Sequence, residues 1–173
     1  MSTQLTATDA KQSLNAHVAA KGYEIFQKYG PHIGWAELQS ILKDRACVRY
    51  PCTLEFDSAR LNPGEFAFPE PRGAMPEEGF TLYVHPVYMT QLSMVPHLAL
   101  YQLVTVNYGE FASSDDAETF ASYALGVPRE EYYQILCALA DELGVGIDPG
   151  SGHEHAHSHD HGGCGGGGCR CSG

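Results

Sequence analysis

The spacing of hydrophobic residues predicts two helices near the start of the chain. One buried face of the first helix is formed by residues spaced three, four or seven apart: Leu14, Val18, Gly22, Ile25, Phe26 and Tyr29. Thr6 to Asp9 could form its capping box, and Gly30-Pro31 is expected to end it. A shorter second helix is marked by Trp35, Leu38, Ile41 and Leu42.

The hydrophobic period then changes to two, which predicts a half-buried strand. Its apolar positions are Val48, Tyr50, Cys52, Leu54 and Phe56. Pro51 cannot donate a hydrogen bond to a neighbouring strand, so we expect a sheet edge or a bulge at this point.

Two more strands are predicted beyond a proline-rich loop. A short one could form at Phe66 to Phe68, and Gly79 to Tyr88 would place Phe80, Leu82 and Val84 on one face. Parallel strands usually need a long helical crossover, and this loop has no helical period. We therefore expect an antiparallel sheet.

Three helices are predicted to complete the folded part. Pro96 suits a first helical position, and Leu98 to Val106 is apolar all round, as in a central buried helix. Since Val104, Thr105 and Val106 are all β-branched, a strand remains an alternative there. The sequence thus predicts an α+β fold, with a small antiparallel sheet covered by about five helices.

The last two helices could be misread as a helix-turn-helix. Ser114 is expected to cap one helix, Gly126 to stop it, and Pro128 to start the next, which Gly144 follows. Residues 110–143 contain one Arg and eight acidic residues, which phosphates would repel. An αα-hairpin packed on the sheet is the better interpretation, and it could bind a protein partner.

Composition changes sharply near Asp148. Residues 150–173 contain no Leu, Ile, Val, Phe, Tyr or Trp, but nine of the 19 glycines. Such a segment buries too little apolar surface to offset the entropy of ordering it. We expect a globular domain over residues 1–147 and a disordered, flexible tail over residues 148–173.

The net charge of the chain limits the classes of partner that it is expected to bind. Ten Lys and Arg against 21 Asp and Glu give a net charge of −11, which argues against binding nucleic acid or anionic lipid. No apolar stretch approaches the roughly 20 residues of a membrane-spanning helix, and the first residues do not form a signal-peptide pattern. A cytoplasmic protein is expected, with its six Cys as thiols or metal ligands.

The tail concentrates potential metal ligands. Five alternating imidazoles and three thiols lie within 19 residues: His153, His155, His157, His159, His161, Cys164, Cys169 and Cys171. Nitrogen and thiolate ligands together suit borderline metals. The expected metal is nickel or zinc, with cobalt or copper as alternatives.

The motif H-E-x-x-H occurs at His153 to His157. In metalloproteases this motif works on a helix, where both His share one face. Gly150 and Gly152 precede it and Gly162-Gly163 follow it, so metalloprotease chemistry is not expected here.

Residues 150–173 resemble the His- and Cys-rich C-terminal extensions of nickel-handling metallochaperones, such as SlyD-type prolyl isomerases and some urease accessory proteins. The resemblance implies metal storage or delivery, and it implies no particular client. The body does not resemble the prolyl isomerase or the urease chaperone domain.

The body has four further candidate ligands, Cys47, Cys52, His85 and His97. They could form a buried metal site, although core packing is the default account of such residues. No nucleophile elbow or phosphate-binding loop occurs in the sequence.

The leading functional hypothesis is a metal-binding accessory protein with a client. The alternative is a small enzyme or ligand-binding domain with its site between sheet and helices, in which the tail only buffers metal. The oligomeric state is left open.

Overall fold

Five α-helices and three strands form among residues 7–144, the part of the chain that the computed structural model describes. The helices are α1 (Ala7–Tyr29), α2 (Trp35–Lys43), α3 (Val95–Tyr108), α4 (Ser114–Leu125) and α5 (Arg129–Asp141). The strands are β1 (Cys52–Phe56), β2 (Ala67–Pro71) and β3 (Phe80–Val84). The α+β prediction is confirmed. No helix in this part is long and apolar enough to cross a bilayer.

The three strands form a mixed sheet in the order β1-β3-β2. β2 pairs antiparallel with β3, as predicted, whereas β1 pairs parallel with β3, so the prediction of a wholly antiparallel sheet was wrong. After β1 the chain first forms β2, which is not adjacent to β1 in the sheet. It then returns to form β3 between β1 and β2. Because β2 supplies the reversal of direction, no helical crossover is needed.

The bounds of the strands differ from the sequence pattern for local reasons. Val48 is buried but lies outside β1, because its N–H donates to the carbonyl of Asp44 at 2.8 Å in the turn after α2. Pro51 directly precedes β1, which is an edge strand, as its proline suggested. β3 ends before Pro86, which begins a 3-10 helix over Pro86–Thr90.

Helix α3 forms the centre of the fold, and the strand alternative for it was wrong. It packs against β2 and β3 on one side and against α4 on the other. A helix that is apolar on every face must be buried on every face. Several residues of α3 are accordingly 0% exposed, among them Leu98, Leu100, Leu103 and Val104.

Helices α4 and α5 form the predicted hairpin around Gly126, which has a left-handed conformation (φ +68°). The N-cap of α4 is Ser113 rather than Ser114, since the Ser113 hydroxyl oxygen accepts from the N–H of Asp116. The hairpin does not pack chiefly on the sheet, because α3 covers β2 and β3; α4 packs instead on α1 and α3.

Candidate functional site

The eight predicted tail ligands lie outside the described residues. The last described residue is Gly144, three residues beyond the end of α5. The predicted domain boundary at residues 147–148 and Thr6 of the proposed capping box also lie outside this part. Metal binding by residues 153–171 therefore remains a prediction.

The four candidate ligands of the body do not form a metal site. Among residues 7–144, no group of three or more His, Cys, Asp or Glu side chains has an arrangement that could hold a metal ion. Cys47 follows α2, Cys52 begins β1, His85 follows β3 and His97 lies in the first turn of α3. The four residues therefore belong to four different segments of the fold, and their surroundings differ.

Cys47 belongs to a hydrogen-bonded cluster centred on Asp44. The Asp44 carboxylate accepts from the Cys47 thiol at 3.3 Å, the Tyr29 hydroxyl at 2.9 Å and Lys28 Nζ at 2.5 Å. The hydrogen bond from Lys28 and those from its other partners hold the pKa of Asp44 well below its usual range. Burial and the adjacent carboxylate raise the pKa of Cys47 to about 12. The thiol is therefore protonated at neutral pH, and only a thiolate is a good nucleophile or metal ligand.

Cys52 and the two histidines are placed for structural roles. Burial on the inner face of the sheet raises the pKa of Cys52 to about 11. His85 Nδ1 accepts from the N–H of Val87 at 3.2 Å and so caps the 3-10 helix. This backbone hydrogen bond occupies Nδ1 of the imidazole.

His97 is the least satisfied polar side chain of this group. Its Nδ1 is buried and makes no hydrogen bond within the described residues. Burial lowers the pKa of His97, because a charged imidazolium is poorly solvated there. Its backbone carbonyl accepts from the Tyr132 hydroxyl at 2.7 Å, which ties α3 to α5.

A concave surface lies between α1 and the α4–α5 hairpin. One groove, of about 700 Å³, has Lys11, Asn15, Asp115 and Arg129 among its lining residues. A neighbouring groove, of about 530 Å³, is lined partly by Tyr23, Phe26, Val127 and Pro128. Thr119, Tyr123 and Arg129 line both grooves. We call the two together the α1–α4 furrow; it lies on the helical side, not between the sheet and the helices.

Polar groups at one end of the furrow hold the two helices together. Asn15 Nδ2 donates to Asp116 at 3.0 Å, and to Asp115 and Thr119 at 3.3 Å. Burial opposes the ionisation of Asp116, but hydrogen bonds from Ser113 and Asn15 outweigh it and lower the pKa. Since Asp116 also closes the capping box of α4, its chemistry here is structural.

Arg129 joins the start of α5 to α4 across the furrow. Its guanidinium donates to Glu118 at 2.9 and 3.0 Å and also to Asp115. Sequence reasoning did not single out this residue or Asn15. Arg129 is the only basic residue among residues 110–143, so its isolation among eight carboxylates was the available clue.

No known protein family, curated protein or solved structure matches this chain.

Proposed function

We propose that the chain is a cytosolic accessory protein that binds a transition metal, nickel or zinc first, and stores it or delivers it to a client. One observation carries the proposal. Eight imidazole and thiol side chains occur between His153 and Cys171, separated mainly by glycine and small polar residues. Borderline metals prefer this mixture of nitrogen and sulfur ligands.

The proposed mechanism is ligand exchange. Eight ligands in 19 residues provide several overlapping sets of three or four. Each set raises the effective concentration of ligands around the ion, while no single ligand is indispensable. A client can therefore remove the ion one bond at a time. Glu154 and Asp160 add negative charge and oxygen ligands.

Two observations support metal binding by the tail rather than by the body. The thiols of Cys47 and Cys52 are held protonated, with pKa values raised to about 12 and about 11, so they compete poorly with the tail thiols for metal. Eight residues, 145–152, lie between Gly144 and His153, so nine Cα–Cα steps join them. An extended chain of that length reaches up to about 30 Å, enough to present the ion to a client docked on the body.

The α1–α4 furrow supports client recognition by the body. Tyr23 and Tyr123, which line it, are 50% and 49% exposed. Half-exposed tyrosines beside an apolar groove are typical of protein interaction sites, because they bury much surface at little entropic cost. The furrow is the surface on which we expect a client to dock.

Metal titration of the reduced, metal-stripped full chain tests the proposal. Calorimetry with nickel and with zinc should show tight binding that is lost when His153, His155, His157, His159 and His161 are all changed to Asn. His17 and His32 are exposed histidines of the body, so H17N/H32N is the matched control and should bind as the wild type does. Undiminished binding by the five-fold tail variant and by a 1–149 chain would refute the proposal.

A small-ligand-binding or enzymatic function is the second candidate, and the size of the furrow favours it. Its larger groove, about 700 Å³, is within the range of small-molecule pockets. Lys11, Asn15 and Arg129 would supply polar contacts. Metabolite screening by thermal shift discriminates the candidates: a stabilising ligand whose effect survives removal of residues 150–173 and is lost in N15A supports the second.

A further inference from the structure

The peptide groups of β1 alternate between the sheet and its outer edge. The N–H of Phe80 donates to Pro51 O at 2.7 Å, and the N–H of Asp57 donates to Val84 O at 3.2 Å. In a parallel ladder, the odd-numbered residues from 51 to 57 therefore direct their backbone hydrogen-bonding groups towards β3. Cys52, Leu54 and Phe56 consequently direct their N–H and C=O groups outward. Among residues 7–144, these outward groups have no hydrogen-bond partner.

The opposite edge of the sheet is closed. In β2, Phe68 and Glu70 face β3, since the flanking Arg72 N–H donates to Gly79 O at 2.9 Å. Pro69 and Pro71 therefore face outward, where they offer no N–H group to another strand. The outward carbonyl of Ala67 is occupied by Gln102 Nε2 at 2.9 Å. Of the two sheet edges, β1 alone can accept another strand.

Charges on the exposed face of the sheet indicate what that strand would be. Arg72 donates to the hydroxyl of Thr53 and, at 3.3 Å, to that of Thr81. Glu55 is exposed two residues after Thr53, so the two share the outer face of β1. β1 therefore has a guanidinium beside Thr53 and a carboxylate at Glu55.

We propose that β1 pairs with β1 of a second copy of this chain, antiparallel and centred on Leu54. In that register Thr53 lies opposite Glu55 of the second copy, which places Arg72 of each copy beside Glu55 of the other. The two-fold symmetric arrangement forms both ion pairs at once. A five-residue strand pair buries less than a standard interface, so the association is weak and sensitive to salt.

Sedimentation equilibrium of the full chain tests the proposal. EDTA and a thiol reductant are included, so that neither metal nor disulfides can link two tails. The wild type should shift from monomer towards dimer as its concentration rises to about 0.5 mM, within the range of weak complexes. E55R and R72E should each weaken association about tenfold, since each turns both ion pairs into repulsions. E131R, a charge reversal on exposed Glu131 of α5, is the matched control and should associate as the wild type does.

Mixing the two variants separates the proposal from misfolding. A copy with E55R carries Arg at both positions, and a copy with R72E carries Glu at both, so a mixed dimer regains two attractive pairs. Equimolar E55R and R72E should associate at least as well as the wild type. Amide exchange gives an independent readout: the N–H of Leu54 should become protected with rising concentration, while that of Glu55, which faces β3, should not change. A wild type that stays monomeric, or a mixture that does not associate, overturns the proposal.

Discussion

The hydroxyl of Tyr88 donates to the backbone carbonyl of Leu139 at 2.5 Å, and both residues are buried. Tyr88 lies in the 3-10 helix after β3, and Leu139 lies in the last turn of α5. Carbonyls in the last turn of a helix lack partners within the helix. The bond therefore gives a carbonyl at the end of α5 a hydrogen-bond partner and attaches α5 to the 3-10 helix that follows β3.

Replacing Tyr88 with Phe should remove this bond while preserving the packing of the ring. We expect the free energy of unfolding to fall by about 1–3 kcal/mol, because the Leu139 carbonyl stays buried without that partner. Urea denaturation measures the change. Y23F is the matched control: Tyr23 is 50% exposed, and its loss of a hydroxyl should change stability by less than about 0.5 kcal/mol.

A glycine inside α1 permits the close contact between α1 and α4. A Cβ atom on Gly22 would lie 2.4 Å from the carbonyl oxygen of Phe120 and 2.9 Å from Tyr123 Cβ. Gly to Ala normally stabilises an exposed helix by about 1 kcal/mol. At Gly22 we expect the opposite sign, a loss of about 1–3 kcal/mol, because the helices must separate.

Thermal unfolding of G22A and G22V checks this expectation, with the larger side chain costing more. A20V, at an exposed position of the same helix, is the control and should cost no more than about 0.7 kcal/mol. A stabilised G22A would contradict the close packing of α1 on α4.

The sequence predicted elements well and their pairing less well, for a physical reason. Period-two alternation shows which residues of a strand face the core, but it does not show which strand lies beside it. The alternating pattern extends back to Val48 and Tyr50, but these residues lie before β1, in the segment that follows α2. Val48 is buried there by contact with the core, which does not require hydrogen bonding to a neighbouring strand. The parallel pairing of β1 depended on β2 forming part of the crossover, a long-range property that no local pattern contains.

The candidate sites were predictable to different degrees. A run of alternating His is visible in the sequence because its ligands are adjacent along the chain. The α1–α4 furrow brings Asn15 within 3.0 Å of Asp116, residues 101 positions apart, so only the fold reveals it. The proximity of Cys47 to Asp44 was similarly visible only once the turn after α2 had formed.

That proximity predicts slow alkylation of Cys47. With its pKa raised to about 12, the folded thiol is almost wholly protonated at pH 8, and its reaction rate with iodoacetamide should keep rising with pH towards that value. D44N removes the adjacent negative charge, so the pKa should fall and the reaction at pH 8 should accelerate. Peptide mass mapping measures each cysteine separately, and the rate at Cys137 in α5 provides the internal control. An unchanged rate at Cys47 would show that burial alone protects the thiol.

Metal binding by the tail should weaken as pH falls. Metal ligation needs neutral imidazole and ionised thiol, so protons compete with the ion. An ordinary His titrates near about pH 6.5, and affinity should therefore drop markedly between about pH 7 and pH 5. Competition with a chromophoric chelator across this range measures it. An affinity independent of pH would indicate carboxylate or backbone ligands instead.

The body should fold without the tail and without metal. Its core runs continuously from α1 through the sheet to α5, and within residues 7–144 no His, Cys, Asp or Glu cluster could hold an ion. Small zinc-dependent domains differ because metal binding supplies their folding energy. About 140 residues are enough for a self-standing core. Residues 1–149 should therefore show the same melting temperature and circular dichroism with and without a chelator, and should melt close to the metal-free full chain. A large loss of structure on chelation would mean that Cys47, Cys52, His85 or His97 holds a structural ion, and the functional site would then belong to the body.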